Sequence, residues 1–482
     1  MSVPASSARP WARLRGLPWD SLIGALVIIG VGVVIGRQYL LPDRRMLAVM
    51  FAALVFGIAW RVDIIWGLGL LVLSIPYPRG TVFGNSNVAI ILLLLVIWLL
   101  RVSQRQAAPP QRTPLDVPLV GLLIAYIVSF YNVQSKHDLN FAFQNLQLVV
   151  AGIFFYYLIV NTVRTERNLR LFHTFQIASL VTICLLAIYE VGHPGATVIP
   201  GWIHFPGEVS SEGVTVHGTR VGGPFFDYEL LSEFCAISLL LVAFLLTRAR
   251  STSRRVLFAS IFLLDTFVLF ATVTRGAIIS LAVALVYLIW ALRQRIRLIP
   301  FTVIAGSVLG LFFLMNFIVA TYTQSGDLIY RLQGTEFEGI VPANRARAWA
   351  DGWERFLQHP IIGHGPYYSP QTGVRTWFWP HNGYLYIANL VGSVGLACYL
   401  WIVAKLWLIS RPLVNGLNDR SYAKSFLIIA HAQLILFIID QIKIDFLRNE
   451  IYQFEVWILF ASIVAAHEVA RNERTARVPA AA

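Results

Sequence analysis

The sequence predicts an all-α polytopic integral membrane protein. Three observations carry that expectation. Of 482 residues, 57% belong to the hydrophobic set, mean hydropathy is +0.67, and only 13% are charged. A soluble domain carries about 25% charged residues, so this chain lacks the charge to cover a water-facing surface. A cytosolic enzyme, a disordered polymer and a secreted disulfide scaffold are excluded on that ground. The net charge is +13, and arginine supplies 34 of the 38 basic residues. On such a protein a basic excess reports topology first, and no nucleic acid is implied.

A hydrocarbon core of ~30 Å needs about 20 mostly apolar residues per helix. Fourteen segments are candidate spans: 21–36, 46–60, 63–75, 88–100, 117–132, 146–162, 170–190, 229–247, 256–273, 276–292, 298–320, 382–410, 425–446 and 451–469. The first follows Arg9, Arg13 and Arg15 without a small-residue cleavage site, so it reads as a span rather than a cleaved signal. With the N-terminus inside, 24 of the 38 basic residues fall in inside connections, and the reverse orientation inverts that ratio. Both termini are therefore expected in the cytoplasm. The chain then divides into helices 1–7 over 1–190, a long outer loop over 191–228, helices 8–11 over 229–320, a second long outer loop over 321–381, and helices 12–14 with a tail over 382–482.

Connections beyond ~15 residues are uncommon unless they have a job, and the two long loops gather the unusual chemistry. The second predicts an amphipathic helix. Asn344 is a candidate cap, Trp349, Trp353 and Phe356 recur at i, i+4 and i+7, and Pro360 stands where a helix stops. Such a helix lies flat in the outer interface.

Arg275, in Thr274-Arg275-Gly276 between two apolar runs, falls at the outer boundary. There it either snorkels to headgroup phosphates or clamps an anion with its fork of donors. Arg220 sits in a glycine-rich turn with Gly218, Gly222 and Gly223, whose N–H groups suit an anion, although ordinary loops look similar. Arg345 and Arg347 open the amphipathic helix, where backbone and side-chain donors attract phosphate. His381, in Trp379-Pro380-His381-Asn382-Gly383-Tyr384, marks the return of the chain to the membrane. An imidazole can accept a proton near neutral pH, and it also serves as an amphipathic anchor.

Other candidates read as structure. His359 and His364 belong to a turn, and His193, His204 and His217 lack metal-ligand spacing. Glu208, Glu212, Asp227, Asp327 and Asp351 form no Asp-x-Asp pair, so neither a metal nor a cofactor is expected. Cys184, Cys235 and Cys398 are widely spaced within apolar runs and read as packing. Within the spans, Asp265, Asp440 and Glu455 are functional hypotheses by default, and Lys443 reads as the structural partner of Asp440. A secondary transporter would use such residues at the midplane, on paired helices broken by Gly or Pro, and the sequence displays no such pair.

Taken in order, Arg345-x-x-x-Trp349, His359-Pro360-Ile361-Ile362-Gly363-x-Gly365, His381-Asn382-x-Tyr384-Leu385 and Gly392-x-x-Gly395-Leu396 resemble the C-terminal signature of the O-antigen polymerase/ligase superfamily. Thr274-Arg275-Gly276 is similar to that family's Ser-Arg-Gly, and Arg220 with its glycine-rich turn to the Arg that precedes the family's helix after the first long outer loop. Two departures stand out: Leu390 where the family often has Glu, and Asp227-Tyr228-Glu229 where it has an Asn-Pro-Asn-like triplet.

The resemblance implies a membrane-embedded glycosyltransferase architecture of the GT-C-like kind, in the bacterial inner membrane, with both long loops and the active site in the periplasm. It implies a metal-independent inverting transfer from an undecaprenyl-diphosphate-linked glycan donor. Arg275 and Arg220 would stabilise the departing diphosphate, and His381 would take the acceptor proton. Arg345, Arg347, Asn382 and Tyr384 would bind substrate. The acceptor would be another glycan, in a polymerase of O-antigen or exopolysaccharide, or lipid A-core, in a ligase. Membrane lipids and a chain-length regulator complete the implied partners.

Overall fold

The computed structural model describes residues 44–76, 86–133, 135–193, 197–199, 203–204, 220–292, 298–323, 327–334, 337–338, 341–366, 380–411 and 421–477. The chain divides into two compact units, Met1–Leu54 and Val55–Ala482. Of the first, the described part is the opening of helix α1 (Arg44–Arg61). The second continues with α2 (Ile64–Ser74), α3 (Ser86–Ser103), α4 (Asp116–Ser129), α5 (Lys136–Thr162), α6 (Glu166–Gly192), α7 (Tyr228–Arg248) and α8 (Thr252–Ala271). Then come α9 (Arg275–Leu292), α10 (Leu298–Tyr322), α11 (Leu328–Gln333), α12 (Ala343–Gln358), α13 (Gly383–Ser410), α14 (Tyr422–Asp440) and α15 (Glu450–Arg477).

Each expected span from 46–60 onward coincides with one of these helices, while 21–36 lies outside the described residues. Length and composition qualify seven of them to cross a membrane: α5, α6, α7, α9, α13, α14 and α15. Helices α2 and α4 are shorter apolar pieces, the described apolar stretches of α1, α3 and α10 are Val49–Arg61, Asn87–Ser103 and Gly306–Tyr322, and α8 carries Arg254, Arg255 and Asp265. Among the described residues, seven helices are thus long and apolar enough to cross a membrane. The all-α expectation holds for the architecture, and two minimal hairpins accompany the helices. Thr197–Ile199 pairs antiparallel with Ile203–His204, and Phe337–Glu338 with Val341–Pro342. Both hairpins lie in the long loops, where β-branched and aromatic residues favour a short ladder.

Helix α15 is central, with 89% of its apolar window buried against 33% for α9. It approaches α5 at Gly152, where a Cβ would come within 2.0 Å of Trp457 Nε1. Helices α4 and α13 meet over another small residue, since a Cβ on Gly121 would lie 2.9 Å from Cys398 Sγ. Basic residues assigned to the inside gather at one end of the bundle. There Arg101 donates to the Trp60 carbonyl at 2.8 Å, Arg170 stacks 4.0 Å over the Tyr422 ring, and Arg248 donates to Ser425 Oγ. Helices α7, α9, α13 and α15 all begin at the opposite end, so their unsatisfied N–H groups and positive dipole ends converge on one region.

Helix α13 is interrupted at Gly392, which has φ +69°. The turn over 360–365 fills the break. Ser393 N–H donates to the Pro360 carbonyl at 2.8 Å, His364 N–H to that of Asn389 at 2.8 Å, and Gly365 N–H to that of Leu390 at 3.1 Å. A Cβ on Gly392 would sit 2.0 Å from Ile361 O, and one on Gly363 (φ +73°) 2.4 Å from Leu390 O, so the backbones meet only because both positions are glycine. Asn389 Nδ2 donates to the Gly352 carbonyl at 3.0 Å, and the His364 ring to that of Arg355 at 2.8 Å. These bonds lock α12 across α13. The turn reading of His364 holds; Asn344, in contrast, lies inside α12, which starts two residues earlier than expected.

Candidate functional site

The site begins with Asp227, the cap of α7. Its Oδ1 accepts from the N–H groups of Glu229 at 2.8 Å and Leu230 at 3.2 Å, which satisfies two orphan donors of the first turn. Its Oδ2 lies 2.6 Å from Arg448 Nη2. Glu229, in the turn so capped, is the hub. Its Oε1 accepts from Arg345 Nη2 at 2.7 Å, and its Oε2 from Arg448 Nη2 at 3.0 Å. His381 Nδ1 lies 3.7 Å from the same Oε2 and 3.5 Å from Arg448 Nη1. The His381 side chain is 38% exposed, whereas Glu229 and Arg448 are mostly covered at 16% and 10%.

His381 is held by its neighbours' backbone. It has φ +49°, a strained value for a residue with a Cβ. Next to it, Asn382 caps α13 by accepting from Leu385 N–H at 3.0 Å. Gly383 N–H reaches two carbonyls of the 441–449 segment, Gln441 at 2.7 Å and Ile444 at 2.9 Å. Tyr384 Oη donates to the Ile438 carbonyl at 2.9 Å. Asn382 and Tyr384, expected to bind substrate, thus also have structural duties, Asn382 Oδ1 as the cap of α13 and Tyr384 Oη as a tie from α13 to α14.

The arginines divide. Arg220 Nε donates to the Thr272 carbonyl at 2.9 Å, its Nη2 to the Val273 carbonyl at 3.2 Å and to Thr274 Oγ1 at 2.9 Å, and its guanidinium stacks 3.2 Å from the Tyr228 ring centre. It braces the turn that delivers Arg275. The glycine-rich N–H groups beside it are already used: those of Gly222 and Gly223 donate to Glu190 Oε2 at 3.1 and 2.7 Å. The expected anion nest is thus occupied by a carboxylate of α6. Arg275 is the first residue of α9, and Gly276 after it packs so closely on Lys443 that a Cβ would meet that chain at 2.4 Å. Arg345 points into the cluster and also donates to the Lys443 carbonyl. Arg347 is exposed; two residues further along a helix turns it by roughly 200°. The structure therefore brings Arg220, Arg275, Arg345 and His381 to one end of the bundle and leaves Arg347 outside the cluster.

Several members were missed in the sequence. Glu229 stood out only as part of a departure from a motif, Asp227 was weighed only as a metal-ligand candidate and in that departure, Lys443 was read only as the partner of Asp440, and Arg448 and Asp445 were absorbed at the edge of an apolar run. The signal was present: Lys443, Asp445, Arg448 and Glu450 crowd the short connection between α14 and α15. Asp445 is fully buried, with both carboxylate oxygens lacking a hydrogen-bond partner among the described residues. Burial pushes its pKa up to about 6, with Arg448 and His381 pulling the other way. Burial works against the charge on Arg448, but the carboxylates of Asp227, Glu229 and Asp445 outweigh it and raise its pKa. Four non-glycine residues have left-handed φ among the described residues, and three of them, Phe226, Val273 and His381, flank this cluster. Strain of that kind concentrates where geometry serves a function.

Inside the bundle, Asp440 pairs with Lys443 and accepts from Ser280, as the spacing suggested. Glu455 borders a cavity of about 50 Å³ together with Gln176, Gln433, Tyr452 and Ser462. Cys184 and Cys235 do not stay apart: with Asp265 they place three potential ligand atoms within 4.8 Å of one another, all buried. Helix packing joins positions that sequence spacing separates.

Fold and site together define a multi-pass helical membrane protein with a polar, arginine-rich centre where its long loops meet one end of the bundle. Residues 258–400 match the family model described as O-antigen ligase, which supports the O-antigen polymerase/ligase superfamily and an enzyme of the glycan ligase or polymerase kind. The match runs from α8 through the break in α13 and contains Arg275, Arg345 and His381; Arg220, Glu229 and Arg448 lie outside it. No curated protein matches the chain. Leu390 is fully buried and contributes its carbonyl to the docked turn, so that fastening needs no acidic side chain there.

Proposed function

We propose that the cluster around Glu229 transfers a glycan from undecaprenyl diphosphate to an acceptor hydroxyl, with inversion, at the periplasmic face of the bacterial inner membrane. The observation that carries this reading is the shared carboxylate. Glu229 gathers His381, Arg345 and Arg448 beside the turn that presents Arg275. His381 Nδ1 stands between the Glu229 carboxylate at 3.7 Å, which favours a proton on it, and Arg448 Nη1 at 3.5 Å, which favours a lone pair. In the proposed mechanism the tautomer is the one the carboxylate favours, which leaves Nε2 as the base.

In the reaction, His381 Nε2 takes the acceptor O–H proton while that oxygen attacks the anomeric carbon. The bond from that carbon to the diphosphate oxygen breaks, and its electron pair leaves with the diphosphate. Arg275 meets the charge that develops there, with Arg220 fixing the turn that aims it. Arg345 and Arg448 are already engaged by Glu229, so they shape the acceptor side rather than bind the leaving group.

A polymerase of O-antigen or exopolysaccharide, with a chain-length regulator as further partner, is the first reading. The second, a ligase acting on lipid A-core, is favoured by the description of the matching family. Purified protein supplied with a lipid-diphosphate-linked glycan should form a longer glycan or a glycan–lipid A-core conjugate. Absence of any transfer, with the donor shown to bind, would count against the proposal.

A further inference from the structure

Away from the arginine centre, three side chains of metal-ligand type meet inside the bundle. Cys184 of α6, Cys235 of α7 and Asp265 of α8 are fully buried, and one ligand atom from each lies within 4.8 Å of the other two. They also share a depth. Cys184 stands eight residues before the end of α6 at Gly192, Cys235 seven after the start of α7 at Tyr228, and Asp265 six before the end of α8 at Ala271. At 1.5 Å per residue that places them roughly 9–12 Å beneath these helix ends. The same ends are joined around the turn at Arg220: Glu190 accepts from the Gly222 and Gly223 N–H groups, and Arg220 donates to the Thr272 carbonyl.

Asp265 supplies an independent observation. Neither of its oxygens accepts a hydrogen bond from an N–H or O–H group among the described residues, and the donor that faces it is the weak S–H of Cys235. Other buried acids of the bundle are compensated, Asp440 by Lys443 and Glu190 by two backbone N–H groups. A buried carboxyl without such partners is costly, and a position that served packing alone would be apolar. One cation would partner the carboxylate and both sulfurs together.

We infer that Cys184, Cys235 and Asp265 bind a divalent cation of the zinc class. Mixed sulfur and carboxylate donors suit zinc, whose bonds of ~2.3 Å to sulfur and ~2.1 Å to oxygen set neighbouring ligand atoms roughly 3.5–3.8 Å apart. No pair of these ligand atoms therefore needs to close by more than about 1.3 Å. Two Zn–S bonds and one Zn–O bond form, the thiol protons leave to water together with any carboxyl proton, and a water molecule takes the fourth position. The ion staples α6, α7 and α8 beneath the Arg220 turn and the Asp227 cap. It takes no part in glycan transfer, so this inference stands apart from the transfer reading. Because its three ligands are fully buried, a bound ion is shielded from added chelator.

The test is the metal content of full-length protein produced in zinc-supplemented medium and purified in detergent without chelator. About one zinc per chain is expected in the wild type, and at least roughly tenfold less in Cys235→Ala. Cys398→Ala is the control and should keep its zinc, since that thiol packs against Gly121 of α4 instead. Wild-type protein produced in cobalt medium should show thiolate-to-Co(II) charge-transfer absorption in the near ultraviolet, a signature that needs no variant to fold. Wild type with less than about 0.1 zinc per chain, a missing cobalt band, or zinc kept at the wild-type level in Cys235→Ala would overturn the inference.

Discussion

The α9 turn and the His381 corner are built from the same kinds of residue and are wired in opposite ways. At the turn, Arg220 spends its donors on the carbonyls and hydroxyl of residues 272–274, so one arginine holds the backbone that presents another. At the corner, arginines pair with acids, and a histidine reads the balance between them. On the proposed function, the first arrangement serves the leaving group and the second the base. The same residue types are wired differently: Arg220 meets carbonyls and a hydroxyl, Arg448 meets carboxylates, and Arg345 meets one of each.

The comparison can be broken most sharply at His381. Replacement by Ala should lower glycan transfer by ~10²-fold or more, the usual worth of a general base, while membrane insertion and donor binding persist. Arg275→Lys keeps the charge and loses the fork, and a loss of ~10²-fold in turnover is expected. Arg220→Ala acts through the turn, so it should cost less in turnover than Arg275→Lys and should also lower the melting temperature. Kinetics on the purified variants would rank all three.

Stability measurements sharpen the picture further. Gly392→Ala forces a side chain into Ile361 O at a left-handed backbone position. We expect a loss of ~2–4 kcal/mol in unfolding free energy, with α12 freed from α13. Asp445 gives a pH signature of smaller size. Its raised pKa, about 6, means its contribution to folding is fully present below the ordinary carboxylate range and is lost as pH rises through 6. Asp445→Asn should therefore melt above the wild type at pH 7, with the gap closing towards pH 4. Smallest of all, EDTA should leave the transfer rate unchanged.

Much of this was legible in the sequence because lipid imposes a long apolar period and loops concentrate polar chemistry. The positions of α5 to α10 and α12 to α15 follow from such patterns, and the convergence of Arg275, Arg345 and His381 is what the family resemblance implied. The hub was not legible. Glu229 sits at the head of an apolar helix, where an acid in the first turn reads as an ordinary dipole partner. Only tertiary packing brings it to Arg345 and Arg448, far along the chain. The structural duties of Asn382 and Tyr384 were not legible either, since a cap and a half-buried hydroxyl show their backbone partners only in the fold. The Gly222–Gly223 turn looked open because Glu190, which fills it, belongs to a distant helix.

The division between a leaving-group side and a proton-accepting side is tested most directly by separating binding from turnover in two variants. Donor affinity and single-turnover rate would be measured for His381→Ala and Arg275→Lys with the lipid-diphosphate-linked glycan. The expected result is unchanged donor affinity with turnover abolished in the first, and loss of turnover with weakened donor affinity in the second. Wild-type turnover in His381→Ala, or donor affinity lost there and kept in Arg275→Lys, would contradict the assignment.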